Sequence, residues 1–203
     1  MATTPARLTK QARREQLLDT AAAIVRTHGA DGLTLVTLAE EAGVSRPIAY
    51  DHFATRPGLL LALHRRLDER HRAAIAQALQ DATPSAGETA RVISTAYFAC
   101  ATDMPELGAV SAALRGNPEM DAVLHELTDS YTDLMAAALL PYSGLALPAL
   151  RLGCVGMLGA AEAIAAELNR GRTTHGEAVT ALTGLILGSL DTKAGGPDAK
   201  ADR

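Results

Sequence analysis

Tryptophan is absent from these 203 residues, and aromatic side chains make up only 3% of them. A core with so few large rings must close on small and branched aliphatic groups. Alanine and leucine abound, and both suit helices packed closely on small side chains. For the same reason, aliphatic ligands fit such an interior better than flat polycyclic ones that need stacking partners. Only two cysteines occur, Cys100 and Cys154, with no CxxC and no Cys/His cluster. That argues against a disulfide framework and against a metal site. Met1 to Lys10 has no apolar stretch, so no signal peptide is expected. Residues 134–150 carry no charge but are broken by Pro141, Ser143, Gly144 and Pro148 and closed by Arg151. A membrane helix needs about 20 unbroken apolar residues, so buried helices around a loop are expected, in a cytoplasmic protein without membrane contact.

Enzyme signatures are missing as well. His28, His64, His71, His125 and His175 show no HExxH spacing, and no Ser/His/Asp grouping or phosphate loop appears. The expectation is a non-enzyme with no catalytic residues and no cofactor.

What remains is an ordinary globular composition, 48% hydrophobic and 21% charged. The net charge of −4 is unevenly spread. Residues 1–72 hold 11 Lys/Arg against 8 Asp/Glu, with four of the six histidines, whereas residues 73–203 hold 8 against 15. Such asymmetry suggests a basic interaction module on an acidic body.

Nearly every segment reads as helix, and the fold class is all-α. Leu17, Leu18, Ala21, Ile24, Val25 and His28 form one apolar stripe at three- and four-residue spacing, which predicts a helix over Thr9–His28. Gly29 and Gly32 end it. Two very short helices follow: Leu35–Ala42 capped by Thr34, then one capped by Ser45 with Pro47 in its first turn. Thr55 caps a long helix over 56–82, and further helices are expected near 88–102, 106–115, 118–140, 146–169 and 174–190. Three parts are expected: residues 1–56 as a helix-turn-helix DNA-binding domain, 57–191 as a helical effector-binding and dimerisation domain, and 192–203 as a disordered tail.

Residues 34–53 carry the functional signal. Helices this short do not stand alone, because nucleation is costly. They persist only when packed on each other and on a neighbour. Ala39 is small where two axes would approach, and Gly43 permits the positive φ of a tight turn. Leu38, Ala42, Val44, Ile48 and Phe53 are expected to form the seam back to the first helix. This is a helix-turn-helix pattern, in which the second short helix enters a major groove. Arg46 can fork onto guanine O6 and N7. Ser45, Tyr50 and His52 can hold phosphate oxygens, with Pro47 in the same turn. Thr55 and Arg56 at one helix start, and Thr34 at another, offer anion sites on either flank. A helical hairpin with solvated polar residues is the competing reading. Arg7, Lys10, Arg13 and Arg14 could form an arm on the DNA or simply a solvated tail.

Residues 14–63 resemble the N-terminal module of the TetR family, the tetracycline-repressor-like regulators. The resemblance is carried by Leu17-Leu18-Asp19-Thr20-Ala21, Gly29 to Gly32, Leu33-Thr34-Leu35 and Leu38-Ala39. Ala42-Gly43-Val44-Ser45, Tyr50-x-His52-Phe53, Thr55-Arg56 and Leu59-Leu60-Leu61 complete it. It implies a homodimeric repressor of a pseudo-palindromic double-stranded operator, released by a small molecule bound in the C-terminal domain. Two positions depart from the family pattern. Val36 stands where many relatives carry arginine. Asp51 stands where they carry a basic or aromatic residue, and it needs an arginine partner (Arg46 or Arg56), a base to read, or solvent.

The C-terminal part resembles the family only in being helical. Gly153, Gly156, Gly159, Ala160, Ala163, Gly184 and Gly188 interleave with apolar residues on the last two helices. The resemblance implies that these pack against their copies in a dimer; packing within one chain is the alternative. Tyr97, Cys100, Met104, Ser111, Arg115, Tyr131, Met135, Met157 and Glu162 are candidates to line an effector pocket, though plain core is open for most. Glu162 and Arg115 stand out as charges amid apolar neighbours.

Overall fold

In the computed structural model, which describes residues 8–115 and 118–190, every regular element among the described residues is a helix. In chain order these are α1 (Lys10–His28), α2 (Leu35–Glu41), α3 (Arg46–Phe53), α4 (Arg56–Asp81), α5 (Ala86–Asp103), α6 (Pro105–Leu114), α7 (Pro118–Leu139), α8 (Leu147–Asn169) and α9 (His175–Leu190). Short 3₁₀ turns at Ala30–Gly32 and Leu140–Tyr142 fill two of the connections. The expected tail at 192–203 lies outside the described residues.

The chain forms two compact units, one of residues up to Arg70 with Asp103–Leu127, the other of His71–Thr102 with the remainder. In the first, Leu17, Leu18, Ala21, Ile24 and Val25 of α1 are buried together with Leu38 and Ala39 of α2, Ala49 and Phe53 of α3, and Leu59, Leu60 and Leu63 of α4. Val110 and Leu114 of α6 join the same core. Full burial of each large aliphatic side chain contributes about 1.5–3 kcal/mol, which is what holds the seven-residue α2 and eight-residue α3 in place.

Local chemistry sets their ends. The Thr34 hydroxyl accepts from the Thr37 amide at 3.0 Å and the Thr37 hydroxyl accepts from the Thr34 amide at 2.9 Å, a reciprocal capping box. Gly43 then turns the chain at φ 64°, a conformation that costs glycine little. Ser45 occupies the cap position of α3, but its hydroxyl makes no capping bond.

The α3–α4 link is tighter. Ala54 has φ 57° and ψ −52°, and the Thr55 amide donates to the Phe53 carbonyl at 2.6 Å. That is a γ-turn of the rare, strained kind. Gly58 accommodates it, since a Cβ there would lie 2.5 Å from the Phe53 carbonyl oxygen.

In the second unit, Phe98, Met135, Leu139, Leu150, Cys154, Met157, Leu182 and Ile186 are buried in one core. Leu150, Cys154, Met157 and Ala161 recur at helical spacing and bury one side of α8. The opposite side, with Leu152 at 74% exposure and Val155 at 50%, is bare. By length and composition α8 is also apolar enough to cross a membrane.

Candidate nucleic-acid interface

The eight residues of α3 divide sharply. Ala49 and Phe53 face the core, while Arg46, Pro47, Tyr50 and Asp51 are exposed, with Ser45 exposed just before them. Ile48 is exposed too, at 37%. This corrects its expected place in the seam: Ala49, not Ile48, provides the small buried face on which α3 closes, so Ile48 turns outward.

Arg14 fixes this helix to its scaffold, and two further arginines tie the neighbouring segments together. Arg14 of α1 donates to the His52 carbonyl at 3.0 Å, and its guanidinium lies 4.8 Å over the Phe53 ring. A cation at the last turn of a helix meets the negative end of its dipole. Arg56 reaches back to the loop before α2, donating to the carbonyls of Leu33 and Ala30 at 2.8 Å each, with Asp31 at 3.6 Å. Arg66 of α4 donates to the Glu15 carbonyl at 3.1 Å and pairs with Asp19 at 2.5 Å and Glu15 at 3.3 Å. The sequence reading missed Arg66 and gave Arg14 no structural role. Both partners lie far along the chain, beyond the reach of helical periodicity.

The remaining candidates sit as follows. Arg46, in the exposed first turn, pairs with Glu40 of α2 at 3.1 Å. The Thr55 hydroxyl accepts from the Gly58 amide at 3.1 Å, capping α4 as expected. Thr34 is engaged in its capping box. His52 is held below the ordinary histidine pKa, chiefly by burial, then by Lys10, with Asp51 opposing and Arg14 and Arg13 adding to the fall. Lys10, Arg13 and Arg14 thus surround the C-terminal end of α3 with positive charge. Neither arginine considered as a partner for Asp51 pairs with it: Arg46 is on Glu40 and Arg56 on the loop.

The candidate effector residues fall in both units. Met104, Ser111 and Arg115 belong to the first; Tyr97, Cys100, Tyr131, Met135, Met157 and Glu162 belong to the second. Tyr131, Met135 and Met157 are buried, while Tyr97, Cys100, Met104 and Ser111 are partly so. Tyr131 stacks on His71 with ring centres 5.9 Å apart, and Tyr97 meets Phe98 edge-on at 5.4 Å. Arg115 and Glu162 are exposed in the single chain, so the desolvation argument that singled them out does not apply.

The buried charge is elsewhere. Glu106, 4% exposed in the first turn of α6, pairs with Arg26 of α1 at 2.8 Å, which raises the arginine further. Ser111 Oγ donates to the Leu107 carbonyl at 2.8 Å and lies 2.8 Å from His64 Nε2. Its one proton is thereby used, so Nε2 of His64 carries the proton between them and Nδ1 is the bare nitrogen. His64 Nδ1 is buried without a partner among the described residues, and burial, then Arg115, pushes the imidazole pKa down to about 4.

Residues 17–63 match the family described as "Bacterial regulatory proteins, tetR family". No curated protein matches the chain. Among solved structures, a protein of unknown function from Rhodococcus sp. RHA1 is 24% identical, with 93% of this chain and 99% of that one covered and a TM-score of 0.77. The regulator FadR from Bacillus subtilis, solved with stearoyl-CoA, is 16% identical over 87% of this chain and 97% of its own, TM-score 0.68. The multidrug binding protein EbrR, solved with ethidium, is 25% identical over 86% of this chain and 98% of its own, TM-score 0.66. Residues 17–63 thus carry the N-terminal helix-turn-helix module of the tetR family of bacterial regulatory proteins, and every regular element among the described residues is a helix.

Proposed function

We propose that the protein is a homodimeric, cytoplasmic repressor that reads a pseudo-palindromic operator through α3 and lets go when a small molecule binds its C-terminal helices. One observation carries this: α3 presents Ser45, Arg46, Pro47, Tyr50 and Asp51 outward while its other face is buried in a core shared by five helices. On this reading Arg46 reads a base edge, and Ser45, Tyr50 and His52 hold phosphates. Thr34, Thr55 and Arg56 fix the flanks, with residues 1–56 as the DNA-binding domain and 57–191 as the effector and dimerisation domain.

The dimer reading rests on α8 and α9. Leu152, Val155, Gly156, Gly159 and Ala163 lie exposed along one side of α8, and Ala181, Gly184, Leu185 and Gly188 along one side of α9. Two such small-residue faces on adjacent helices suit a four-helix bundle between two copies. Covering that face also accounts for an α8 this apolar without a membrane.

The effector reading draws on relatives of the same fold that hold stearoyl-CoA or ethidium. A ligand acts only through its differential affinity for the two states. The few aromatic side chains favour an aliphatic ligand.

Arg46→Ala tests the reading head. Its pair with Glu40 is exposed on both sides, and such pairs contribute little to stability, so the variant should melt with the parent. Specific operator binding should weaken by roughly 1–3 kcal/mol, measured by mobility-shift titration. Unchanged affinity would remove Arg46 from the reading head.

A further inference from the structure

Asp51 stands exposed in the middle of α3, the helix assigned above to the major groove, and the inference rests on that assignment. A carboxylate brought against DNA repels phosphates and loses its water, so it weakens binding unless something there compensates it.

Among the described residues the nearby arginines are engaged elsewhere. Arg46 is paired with Glu40 at 3.1 Å. Arg56 is bound to the carbonyls of Leu33 and Ala30 at 2.8 Å and faces Asp31. Arg14 is fixed on the His52 carbonyl and the Phe53 ring, and Arg13 on Gln16 at 2.5 Å. No ion pair to Asp51 occurs among the described residues. His52, next in sequence, is held below the ordinary histidine pKa by burial and by its basic neighbours against the opposing effect of Asp51, and makes no ion pair with it.

The compensating group is then on the DNA. An ionised carboxylate only accepts hydrogen bonds. In the major groove, guanine shows O6 and N7 and thymine shows O4, all acceptors that repel it. Adenine pairs its amino group with the N7 acceptor beside it. Cytosine alone presents an amino donor without a neighbouring acceptor on the same base.

We propose that Asp51 is a specificity-determining residue that accepts a hydrogen bond from the exocyclic amino group of a cytosine, placing a C·G pair in each half-site. The same charge acts against wrong sequences. Where no amino donor meets it, the carboxylate is desolvated and repelled, which is specificity by rejection. The same charge also lowers affinity for unrelated DNA by repelling its phosphates.

The test is binding-site selection from a random duplex library with the full chain and with Asp51→Asn, a change that keeps shape and removes charge. The parent should enrich a cytosine in each half-site, and the variant should replace it with adenine, which asparagine reads through N6 and N7, or with no preference. Changing that C·G pair to T·A should weaken the parent by on the order of 10- to 100-fold and the variant by less than about 3-fold. Affinity for unrelated DNA should rise in the variant.

An identical enriched sequence with identical discrimination in Asp51→Asn would overturn the base-reading role while leaving α3 in the groove. If the parent enriches no sequence at all, the groove assignment and this inference fall together.

Discussion

His64 shows how much a single side chain can impose. Folded, it takes up a proton only near pH 4, whereas in the unfolded chain it does so at the ordinary 6.5. Between those values the unfolded state binds more protons, so stability falls as pH drops from about 6.5 toward 4 and is indifferent to His64 above that window. His71, also buried, shifts in the same direction. The lowered carboxyls of Glu88 and Glu177 act below 4.5, outside this range. The unfolding midpoint should therefore decline between pH 6.5 and 5, and His64→Gln should flatten that decline. An equal slope in parent and variant would contradict the buried, neutral imidazole. None of this was visible in the sequence, where His64 was only one histidine without a catalytic neighbour. Its burial depends on Ser111, 47 residues away. The buried Glu106 was equally hidden, since its partner Arg26 lies 80 residues back. The charges that did attract notice, Arg115 and Glu162, are exposed. Single-residue roles were legible where they are local, as with Thr34 and Thr55 at helix starts.

Helices, by contrast, were almost wholly legible, because apolar periodicity and Gly/Pro breaks act over short distances. α1, α4 and α9 begin and end within a residue of expectation, and α5 within two. The 3₁₀ turns at Ala30–Gly32 and Leu140–Tyr142 were read only as breaks, since three residues carry no period. How the elements are joined was less visible. Arg56 appeared as a hand for phosphate, yet two of its donors hold the Ala30–Leu33 loop against the start of α4. Removing a charged donor from paired carbonyls costs about 1–3 kcal/mol. Arg56→Ala should therefore lower stability by that amount in denaturant titration, with DNA affinity falling through misplacement of α2 and α3. Unchanged stability with lost binding would make Arg56 a direct phosphate contact instead.

For the molecule as a whole, charge asymmetry and the residue 14–63 resemblance pointed to a regulator, and the helical body and family match agree. The effector was never legible: side chains that would line a pocket and those that merely fill a core have the same composition, as buried Met135 and Met157 illustrate. The small-residue faces of α8 and α9 were legible as packing surfaces, but only the structure shows Leu152 and Leu185 left bare on a single chain, at 74% and 51% exposure. For two copies to read successive major grooves, their α3 helices must stand about one duplex turn apart, near 34 Å.

One measurement tests this most directly: operator titration and selection with the full chain beside the double variant Leu152→Asp/Leu185→Asp. The parent should enrich inverted half-sites with centres about 10–10.5 base pairs apart, or a multiple of that, and bind them as a dimer. The charged variant should be monomeric and lose the paired site while keeping its helical content. Enrichment of an isolated, unsymmetrical site, or a monomeric variant that binds the paired site as well as the parent does, would contradict the account.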